Sequence, residues 1–302
     1  MPKKLNNSFE VTVSNIDGNI RLDSLLVKKF PQFSRSQWSQ QISSKKIKVK
    51  GTVVKQATRI RNNDVISGYF PEKSSTNNMT SPEIIPEVIY KDNDVIVINK
   101  PAGLLTHAIR NKNEDSVSGA FKAQIDDSDP LRAGIVHRLD KQTSGVMILA
   151  RNEPAKIFLQ KQFSSRKVSK VYTALVYGHL KSDKAILELP IMRSHNNPQK
   201  MIISKQGKPA ISEYTVLKKY QDFALVNVKI MTGRTHQIRV QMAYIGNPVV
   251  GDLLYGNKKT AIKLDRQFLH SSELTIELPS KRKKTFKADL PDYLKKVLKE
   301  LS

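Results

Sequence analysis

Residues 134–145 read Gly-Ile-Val-His-Arg-Leu-Asp-Lys-Gln-Thr-Ser-Gly and place one carboxylate between basic side chains. Arg138 and Lys141 flank Asp140, and the closing glycine predicts a turn. Opposite charges within a few ångströms favour the ionised form of a carboxylic acid. Asp140 is therefore a candidate anionic catalyst at neutral pH, although a short run of this kind is also compatible with a solvated surface turn.

The composition points to a polyanionic partner. The 302 residues carry a formal net charge of +24, from 51 Lys and Arg against 27 Asp and Glu, spread along the whole chain. Such a field attracts nucleic acid or membrane surfaces and disfavours tight self-association at low salt, so a monomer is expected. We find no membrane-spanning apolar stretch and no signal-like N-terminus, which favours nucleic acid over lipid.

The chain contains no cysteine. This excludes disulfides, thiolate zinc sites, iron–sulfur clusters and cysteine nucleophiles, and it fits a reducing cytoplasm. The six histidines are scattered without metal-ligand spacing, and no phosphate-binding or dinucleotide-binding glycine motif is present, so no metal or nucleotide cofactor is expected. Ser144, His137 and Asp140 occur in one short run, but no G-x-S-x-G elbow supports a hydrolase triad.

A small basic unit is predicted at the N-terminus. Four apolar residues recur at helical spacing: Leu22, Leu25, Leu26 and Phe30. A second helix is expected from Ser34 as N-cap, with Trp38 and Ile42 facing inward. The alternation over 47–50, followed by Gly51, predicts a hairpin packed on this helix pair.

The region after this unit predicts a linker. Residues 72–82 lack apolar periodicity and are rich in loop formers. We therefore divide the chain into a domain over 1–72, a linker over 73–86 and a second domain over 87–302. Beyond the linker, strand and helix signals alternate without a regular βαβ rhythm, which favours a mixed sheet.

Three strands are predicted in the second domain. Residues 95–98 form an apolar run that ends in Asn-Lys-Pro-Ala-Gly at 99–103, where a turn is required. Alternation over 168–176 places Lys170 and Tyr172 on one face. The third strand is predicted by alternating apolar residues, namely Ala224, Val226, Val228 and Ile230.

A helix follows the third strand. Ile238, Met242 and Ile245 form an apolar stripe that stops near Gly246. Arg234 precedes this helix and Arg239 lies within it. Single arginines are usually surface counter-charges. Their density beside His236 and Gln237 instead favours a functional site.

The N-terminal segment resembles the S4 RNA-binding domain over roughly residues 9–70. The resemblance rests on Arg21-Leu22-Asp23, Ser34-Arg35-Ser36 and the run 47–51, while Ser44-Lys45-Lys46 stands where a glycine is usual. It implies phosphate contacts, which give affinity but little sequence choice, from Arg35, Lys45, Lys46, Lys48 and Lys50. The alternative is a small basic domain with no specific function.

Taken together, the motifs resemble the RluA-type pseudouridine synthases, specifically the ribosomal large-subunit members that carry an N-terminal S4 domain. Five segments in the right order carry the resemblance: 99–103, 137–145, 170–172, 232–239, and Gly251-Asp252 with Tyr255-Gly256. Gln241 and Asn247 replace histidines found in many members, and we expect both on a helix surface or loop. The resemblance implies an α+β fold, in which a small helix-pair and hairpin domain precedes a catalytic domain with a mixed, mainly antiparallel central sheet flanked by helices.

The resemblance also implies a cofactor-free isomerisation, in which the C1′–N1 bond of uridine breaks and C5 is joined to the same sugar carbon. Asp140 matches the catalytic aspartate and Tyr172 the active-site tyrosine that stacks on an extruded uracil. Arg234 matches the site arginine expected to pair with Asp140, with Arg138 as the lesser alternative. Attack on C1′ and removal of the 2′ proton both fit. No second carboxylate is indicated to deliver water, as a glycoside hydrolase requires.

Further RNA contacts are expected around this site, from Lys100, Arg138, Lys170 and Arg239. The basic run 281–284 is interpreted as solvated surface. Ribosomal RNA is favoured over tRNA because of the S4-like unit. Two other classes stay open: an RNA-binding protein without activity, and a nuclease or N-glycosidase that would release cut strands or free uracil.

Overall fold

A computed structural model of the chain describes residues 7–14, 20–33, 35–71, 84–108, 115–127, 129, 131–256, 262 and 264–301. Its contacts divide into two units, Met1–Asn78 and Met79–Ser302. The predicted linker falls mostly on residues 72–83, outside the described part, so its limits stay a prediction. None of the described helices is long and apolar enough to cross a membrane.

The N-terminal unit is a helix pair packed on a small antiparallel sheet. Its elements are β1 (Ser8–Thr12), β2 (Ile20–Arg21), α1 (Leu22–Lys29), α2 (Arg35–Ser43), β3 (Ile47–Val49), β4 (Thr52–Val53), β5 (Arg59–Ile60) and β6 (Val65–Tyr69). Four strands pair in the order β1-β6-β3-β4, and β2 pairs with β5. Trp38 is fully buried among Phe9, Phe30, Phe33 and Phe70. The predicted helix pair and hairpin are confirmed, while the proposed N-cap Ser34 lies outside the described residues.

Two turns of this unit place lysines in a conformation that favours glycine. Lys45 has φ +59° where the resemblance expected a glycine before β3. Lys50 and Gly51 follow β3 with φ +51° and +76°, the pair of left-handed residues that a two-residue hairpin turn requires. The β3–β4 hairpin therefore forms as its sequence predicts, with Lys48 and Lys50 exposed.

The C-terminal unit is built on a nine-stranded sheet. Its strands, with one separate hairpin, are β7 (Glu87–Lys91), β8 (Val95–Lys100), β9 (Ser144–Ala150), β10 (Ser169–Tyr177), β11 (Lys184–Glu188), β12 (Ile191–Arg193), β13 (Met201–Ile203), β14 (Ile211–Lys219), β15 (Phe223–Ile230), β16 (Leu269–Glu277) and β17 (Lys283–Lys287). The sheet order is β11-β14-β15-β10-β16-β9-β8-β7, with β17 also paired to β16, while β12 and β13 form the hairpin. The β16–β9 pairing is parallel and the other pairings are antiparallel, which confirms the mixed, mainly antiparallel sheet.

Helices cover the sheet and place the site residues. They are α3 (Val117–Phe121), followed by a 3-10 turn (Lys122–Gln124), α4 (Glu153–Ser164), α5 (Gln237–Tyr244) and α6 (Asp292–Glu300). The helix α5 packs Ile238 and Met242 into the same core as Tyr172 and Val228. Its predicted apolar stripe is thereby confirmed, and Gly246 follows with φ +89°.

The expectation of a helix surface or loop is wrong for Gln241 and holds for Asn247, which lies in the loop after α5. Gln241 is fully buried, where its side chain bonds Ser212 Oγ at 2.7 Å and the Ala210 carbonyl at 3.0 Å. Asn247 is 9% exposed and donates to the Tyr177 carbonyl at 2.8 Å. Both amides join α5 and its following turn to the sheet, because a buried amide must satisfy its hydrogen-bonding groups within the protein.

Candidate active site

A cleft of about 410 Å³ opens in the C-terminal unit where β10 begins and β15 ends. It is lined by residues 136–140, by Phe163 of α4, by Lys170 and Tyr172 of β10, and by residues 232–239 between β15 and α5. Its volume lies in the roughly 300–1,000 Å³ range of small-molecule sites. Three regions that are distant in the sequence, around residues 136–140, 163–172 and 232–239, therefore meet at one concave surface.

The turn from β15 to α5 is held by Gln237. Its side-chain oxygen accepts hydrogen bonds from Thr232 Oγ1 at 2.7 Å and from the Arg234 amide at 3.0 Å. Its nitrogen donates to the Ile211 carbonyl at 3.0 Å and to Ser212 Oγ at 2.8 Å. All four groups are thus tied to one buried amide, which places the first turn of α5 beside the cleft.

Asp140 lies in the cleft and is held by an arginine of α5. Arg239 Nη1 donates to Asp140 Oδ2 at 3.0 Å. The Asp140 side chain keeps 20% of its exposure, whereas that of Arg239 keeps 8%. A charge-assisted bond from a nearly buried guanidinium therefore orients a carboxylate that substrate can still reach.

A second carboxylate, Asp252, holds the same arginine from the other side. Arg239 Nε and Nη2 donate to its two oxygens at 2.7 and 3.0 Å. Burial by itself raises the pKa of Asp252, but the bonds from Arg239 and from the Leu254 and Tyr255 amides outweigh it, so the net pKa is lowered. The Asp252 side chain is 0% exposed, which prevents it from delivering water to a substrate.

His236, the residue that precedes α5, lies beside this cluster. It takes the left-handed conformation with φ +55°, an uncommon state for a non-glycine residue. Its Nδ1 lies 2.9 Å from Tyr255 Oη, which accepts the Met201 amide at 2.7 Å, and its Nε2 lies 3.9 Å from Asp140 Oδ2. Burial lowers the pKa of His236, although the charge of Asp140 opposes this, so the ring is neutral at pH 7.

Tyr172 and Lys170 face the cleft together, as alternation along β10 predicts. The Tyr172 side chain is 7% exposed, and burial raises its pKa, with Asp140 adding to the effect and Ser271 opposing it. Burial lowers the pKa of Lys170, whose Nζ lies 5.8 Å from the centre of the Phe163 ring. The cleft thus presents the protonated phenol of Tyr172 and the half-buried side chain of Lys170 on one wall.

The expected pairing of Arg234 with Asp140 is wrong. Arg234 Nε donates to the Pro209 carbonyl at 3.0 Å, while Asp140 is paired with Arg239. The side chain of Gln237 binds the backbone amide of Arg234, which lies before the helix. Arg239 instead projects from the first turn of α5 toward Asp140 and Asp252. Arg239 was expected to contact RNA instead, and this is also wrong, because two carboxylates engage its guanidinium inside the protein.

Lys100 was expected to hold a phosphate, but its side chain is fully buried. Its Nζ donates to the carbonyls of Pro101 at 2.9 Å, Leu104 at 2.8 Å and Lys141 at 3.1 Å. Burial lowers the pKa of Lys100 to about 7, although the charge of Asp140 opposes this and three carbonyl acceptors stabilise the ammonium ion. Lys100 therefore joins the turn that follows β8 to the backbone next to Asp140. Its buried ammonium group does not reach RNA.

The other cations of the site lie on its open side. Arg138 is exposed and lines the cleft, but it does not pair with Asp140. Arg166, which sequence reasoning missed, is also exposed there. His137 accepts the Ile148 amide at 3.1 Å and stacks on Phe163, and burial lowers its pKa, so it stays neutral.

The lysines predicted to bind RNA in the N-terminal unit lie at its surface. Lys45, Lys46, Lys48 and Lys50 are exposed, and Lys50 also pairs with Asp64 at 2.8 Å. The remaining predicted residue is Arg35, which is 56% exposed and donates to Asp23 at 2.9 and 3.0 Å. Its guanidinium is thus partly occupied within the protein.

Sequence reasoning missed the second carboxylate and its companion ring. Asp252 and Tyr255 were noted only as parts of a motif, without a role. In the structure the Tyr255 ring lies 5.2 Å from the Arg239 guanidinium carbon. Glycines on either side of this turn were the available signal, because they mark a backbone that is tightly constrained.

The arrangement can bind an anionic ligand and offer it one accessible carboxylate. Among the described residues, no group of three or more His, Asp or Glu side chains is placed to hold a metal ion. The exposed cations at the cleft, Arg138 and Arg166, suit phosphates. Tyr172 offers a ring face for a planar base.

Comparisons with known proteins show the family of the chain. The chain matches the family model of RNA pseudouridylate synthases over residues 94–244 and that of the S4 domain over residues 20–66. It is similar to an uncharacterized RNA pseudouridine synthase of Bacillus subtilis, with 33% identity over 98% of each chain. It is also similar to ribosomal large subunit pseudouridine synthase D of Borreliella burgdorferi, with 36% identity over 90% of this chain and 86% of the relative. Human RNA pseudouridylate synthase domain containing 1 superposes with a TM-score of 0.56 and 27% identity, covering 68% of this chain and 84% of its own.

Proposed function

This chain belongs to the RNA pseudouridine synthase family and carries an S4 domain, and from that premise we propose that it isomerises uridines of large-subunit ribosomal RNA with Asp140 as the catalytic carboxylate. The observation that carries the proposal is the placement of Asp140, which is accessible in a cleft and oriented by a buried arginine. The choice of ribosomal RNA is supported by relatives named ribosomal large subunit pseudouridine synthase D.

The reaction needs one reactive carboxylate and no added water. The C1′–N1 bond breaks, the uracil turns, C5 bonds to C1′, the hydrogen of C5 leaves as a proton and N1 gains a proton. Asp140 starts this sequence either by attack on C1′ or by removal of the 2′ proton. The only other carboxylate of the cluster, Asp252, is buried on Arg239, which disfavours the hydrolysis that an N-glycosidase would perform.

The target base must leave the RNA stack before Asp140 reaches C1′. We assign Tyr172 to stacking on the extruded uracil, and its position in the wall of the cleft that contains Asp140 supports this role. A base–aromatic stack contributes about 1–3 kcal/mol, which offsets part of the cost of unstacking. Arg138, Arg166, Lys170 and Arg234 surround this position, and we assign them to the flanking phosphates.

The test is release of tritium from RNA labelled at uracil C5, because forming the new bond at C5 must expel that hydrogen. We expect release from large-subunit ribosomal RNA by the unaltered protein. Asp140→Asn should lower the rate by at least about a thousandfold, since the amide is neither a nucleophile nor a base of comparable strength. Asp265→Asn, which alters a carboxylate that is 76% exposed and paired with Arg266, is the matched control and should keep full activity.

Each other outcome contradicts part of the proposal. Release from tRNA alone would reject ribosomal RNA as the substrate but keep the reaction. Free uracil or cut strands would indicate an N-glycosidase or a nuclease. Tight binding without release from either RNA would leave a binding function only, and full activity of Asp140→Asn would remove Asp140 from the chemistry.

A further inference from the structure

The guanidinium that orients Asp140 is shared unequally between two carboxylates. Asp252 takes the Nε and Nη2 edge of Arg239 with bonds of 2.7 and 3.0 Å. Asp140 receives one bond, from Nη1 at 3.0 Å. Asp252 is therefore the main counter-ion of Arg239, although Asp140 is the carboxylate that faces the cleft.

The turn that carries Asp252 is built to hold its carboxylate in place. Oδ1 also accepts the amides of Leu254 at 2.9 Å and Tyr255 at 3.1 Å. Gly251 has φ +74°, and a Cβ there would lie 2.1 Å from the Arg266 carbonyl oxygen. A Cβ on Gly256 would lie 2.4 Å from the Asp252 carbonyl oxygen. Side chains are thus excluded from both ends of the turn, and the two amide bonds hold the Asp252 carboxylate within it.

The charge balance of the cluster has a chemical consequence. One guanidinium faces two carboxylates, so the group of three carries a net negative charge. A carboxylate that a guanidinium neutralises completely is a weak nucleophile and a weak base, because its lone pairs and charge are already engaged. Asp252 accepts two of the three hydrogen bonds from Arg239. The one bond that remains orients Asp140 but neutralises little of its negative charge.

We propose that Asp252 is a positioning residue for the isomerisation, acting through Arg239 to fix Asp140 while leaving its charge available. This inference rests on the proposed catalytic role of Asp140. It assigns a function to the Gly251-Asp252 and Tyr255-Gly256 motif, to which sequence analysis attached none.

The experiment measures single-turnover tritium release with enzyme in excess over C5-labelled ribosomal RNA. Asp252→Asn keeps the size of the side chain but removes its charge, and the amide cannot accept from both Nε and Nη2 of Arg239. We expect its first-order rate constant to fall about 30-fold while the RNA dissociation constant changes less than about twofold. A folding defect lowers the amplitude of the reaction, because fewer molecules are active, but leaves the rate constant of the folded fraction unchanged.

Asp252→Glu restores the charge and should keep at least about a third of the original rate constant. It also decides the question if Asp252→Asn does not fold. Asp265→Asn removes a carboxylate that makes the same two-bond pair with Arg266 at the surface, at 2.9 and 2.9 Å, and should change neither rate constant nor affinity.

The inference is overturned if Asp252→Asn keeps a rate constant within about threefold of the original, if Asp252→Glu loses as much as Asp252→Asn, or if weaker RNA binding accounts for the loss. These results are distinct from failure of the proposed function. If Asp140→Asn is inactive and Asp252→Asn is fully active, only the role of Asp252 is lost. If Asp140→Asn is active, the catalytic role of Asp140 is lost first.

Discussion

The N-terminal unit gives one carboxylate two arginines, whereas the C-terminal unit gives one arginine two carboxylates. Asp23 accepts four hydrogen bonds from arginines, two from Arg21 and two from Arg35, at 2.9 to 3.1 Å. Arg239 instead divides three bonds between Asp252 and Asp140. The bonds from Arg21, opposed by burial and aided by Arg35, lower the pKa of Asp23 to about 2.

The difference separates a buried, fully paired carboxylate from one that stays accessible in a cleft. Asp23 is 3% exposed and its charge is fully compensated, so it ties α1 to α2 and can do little chemistry. Asp140 is 20% exposed and receives one bond. The two clusters contain the same residue types, and under the proposed function it is the excess of acid over base that leaves Asp140 reactive.

The largest effect is expected when the shared arginine is removed. Arg239→Met leaves Asp140 and Asp252 close together without a counter-ion, which should cost about 3–5 kcal/mol of the free energy of unfolding and abolish tritium release. Arg266→Met, which removes a more exposed arginine from a surface pair, should change stability by less than about 1 kcal/mol. Thermal unfolding and single-turnover release measure both. A stable, active Arg239→Met would contradict the arrangement described for Asp140.

Lys100 is a buried cation whose partners are backbone carbonyls and not carboxylates. Lys100→Met leaves three backbone carbonyls without their donor, so we expect the free energy of unfolding of the C-terminal unit to fall by about 2–3 kcal/mol. The RNA affinity of the folded protein should be unchanged. Lys181→Met, at an exposed position, is the stability control. If Lys100→Met instead bound RNA more weakly at unchanged stability, Lys100 would contact a phosphate, as its sequence motif suggested.

Arg234 offers a test of which arginine acts on Asp140. Arg234→Gln should weaken RNA binding about tenfold and reduce the salt dependence of binding by about one phosphate contact, because it removes one half-buried cation that lines the cleft. Filter binding over a salt series measures this. The single-turnover rate at saturating enzyme should fall far less than in Arg239→Met. If it falls as far as in Asp140→Asn, Arg234 must reach Asp140 when RNA is bound.

The smallest effect is expected for the contribution of Asp23 to stability, which acid should remove. Its pKa in the folded state, about 2, is below the ordinary 3.8, so its stabilising contribution is present above pH 3.8 and is lost as pH falls toward 2. Because both arginines are more than a third exposed, we expect this contribution to be only about 1 kcal/mol. Trp38 is the single tryptophan of the chain and lies in this unit, so its fluorescence reports unfolding there. The stability difference between the original protein and Asp23→Asn should shrink between neutral pH and about pH 2; a constant difference would mean that the charge of Asp23 contributes nothing.

The strands and helices that frame the site were predictable because their signals are local. Alternation placed Lys170 and Tyr172 together on β10, and the apolar stripe of α5 fixed which side of the helix is buried. The turn at Lys50 and Gly51 followed from the glycine and the alternating residues around it. In each case the deciding residues lie within a few positions of one another.

The partners of the buried charges were not predictable. Arg234 and Arg239 lie five positions apart, and the sequence does not show that Arg239 alone reaches Asp140, which is 99 residues away in the chain. Lys100 looked like an RNA contact because its motif ends a strand, yet the fold buries it under two turns. Asp252 belonged to a recognisable motif, but nothing in the sequence indicated that Arg239 is its partner.

The sequence by itself determined an α+β chain with an S4-like unit, a basic surface, an isolated aspartate among cations and the family to which these motifs belong. Only the tertiary structure decided that Arg239 is held between Asp140 and Asp252, that Arg234 donates to the Pro209 carbonyl instead of to Asp140, and that Lys100 is internal. The physical reason is that backbone conformation and amphipathic patterning depend on near neighbours. The pairing of a charge depends on which distant groups the packed sheet brings within hydrogen-bonding distance.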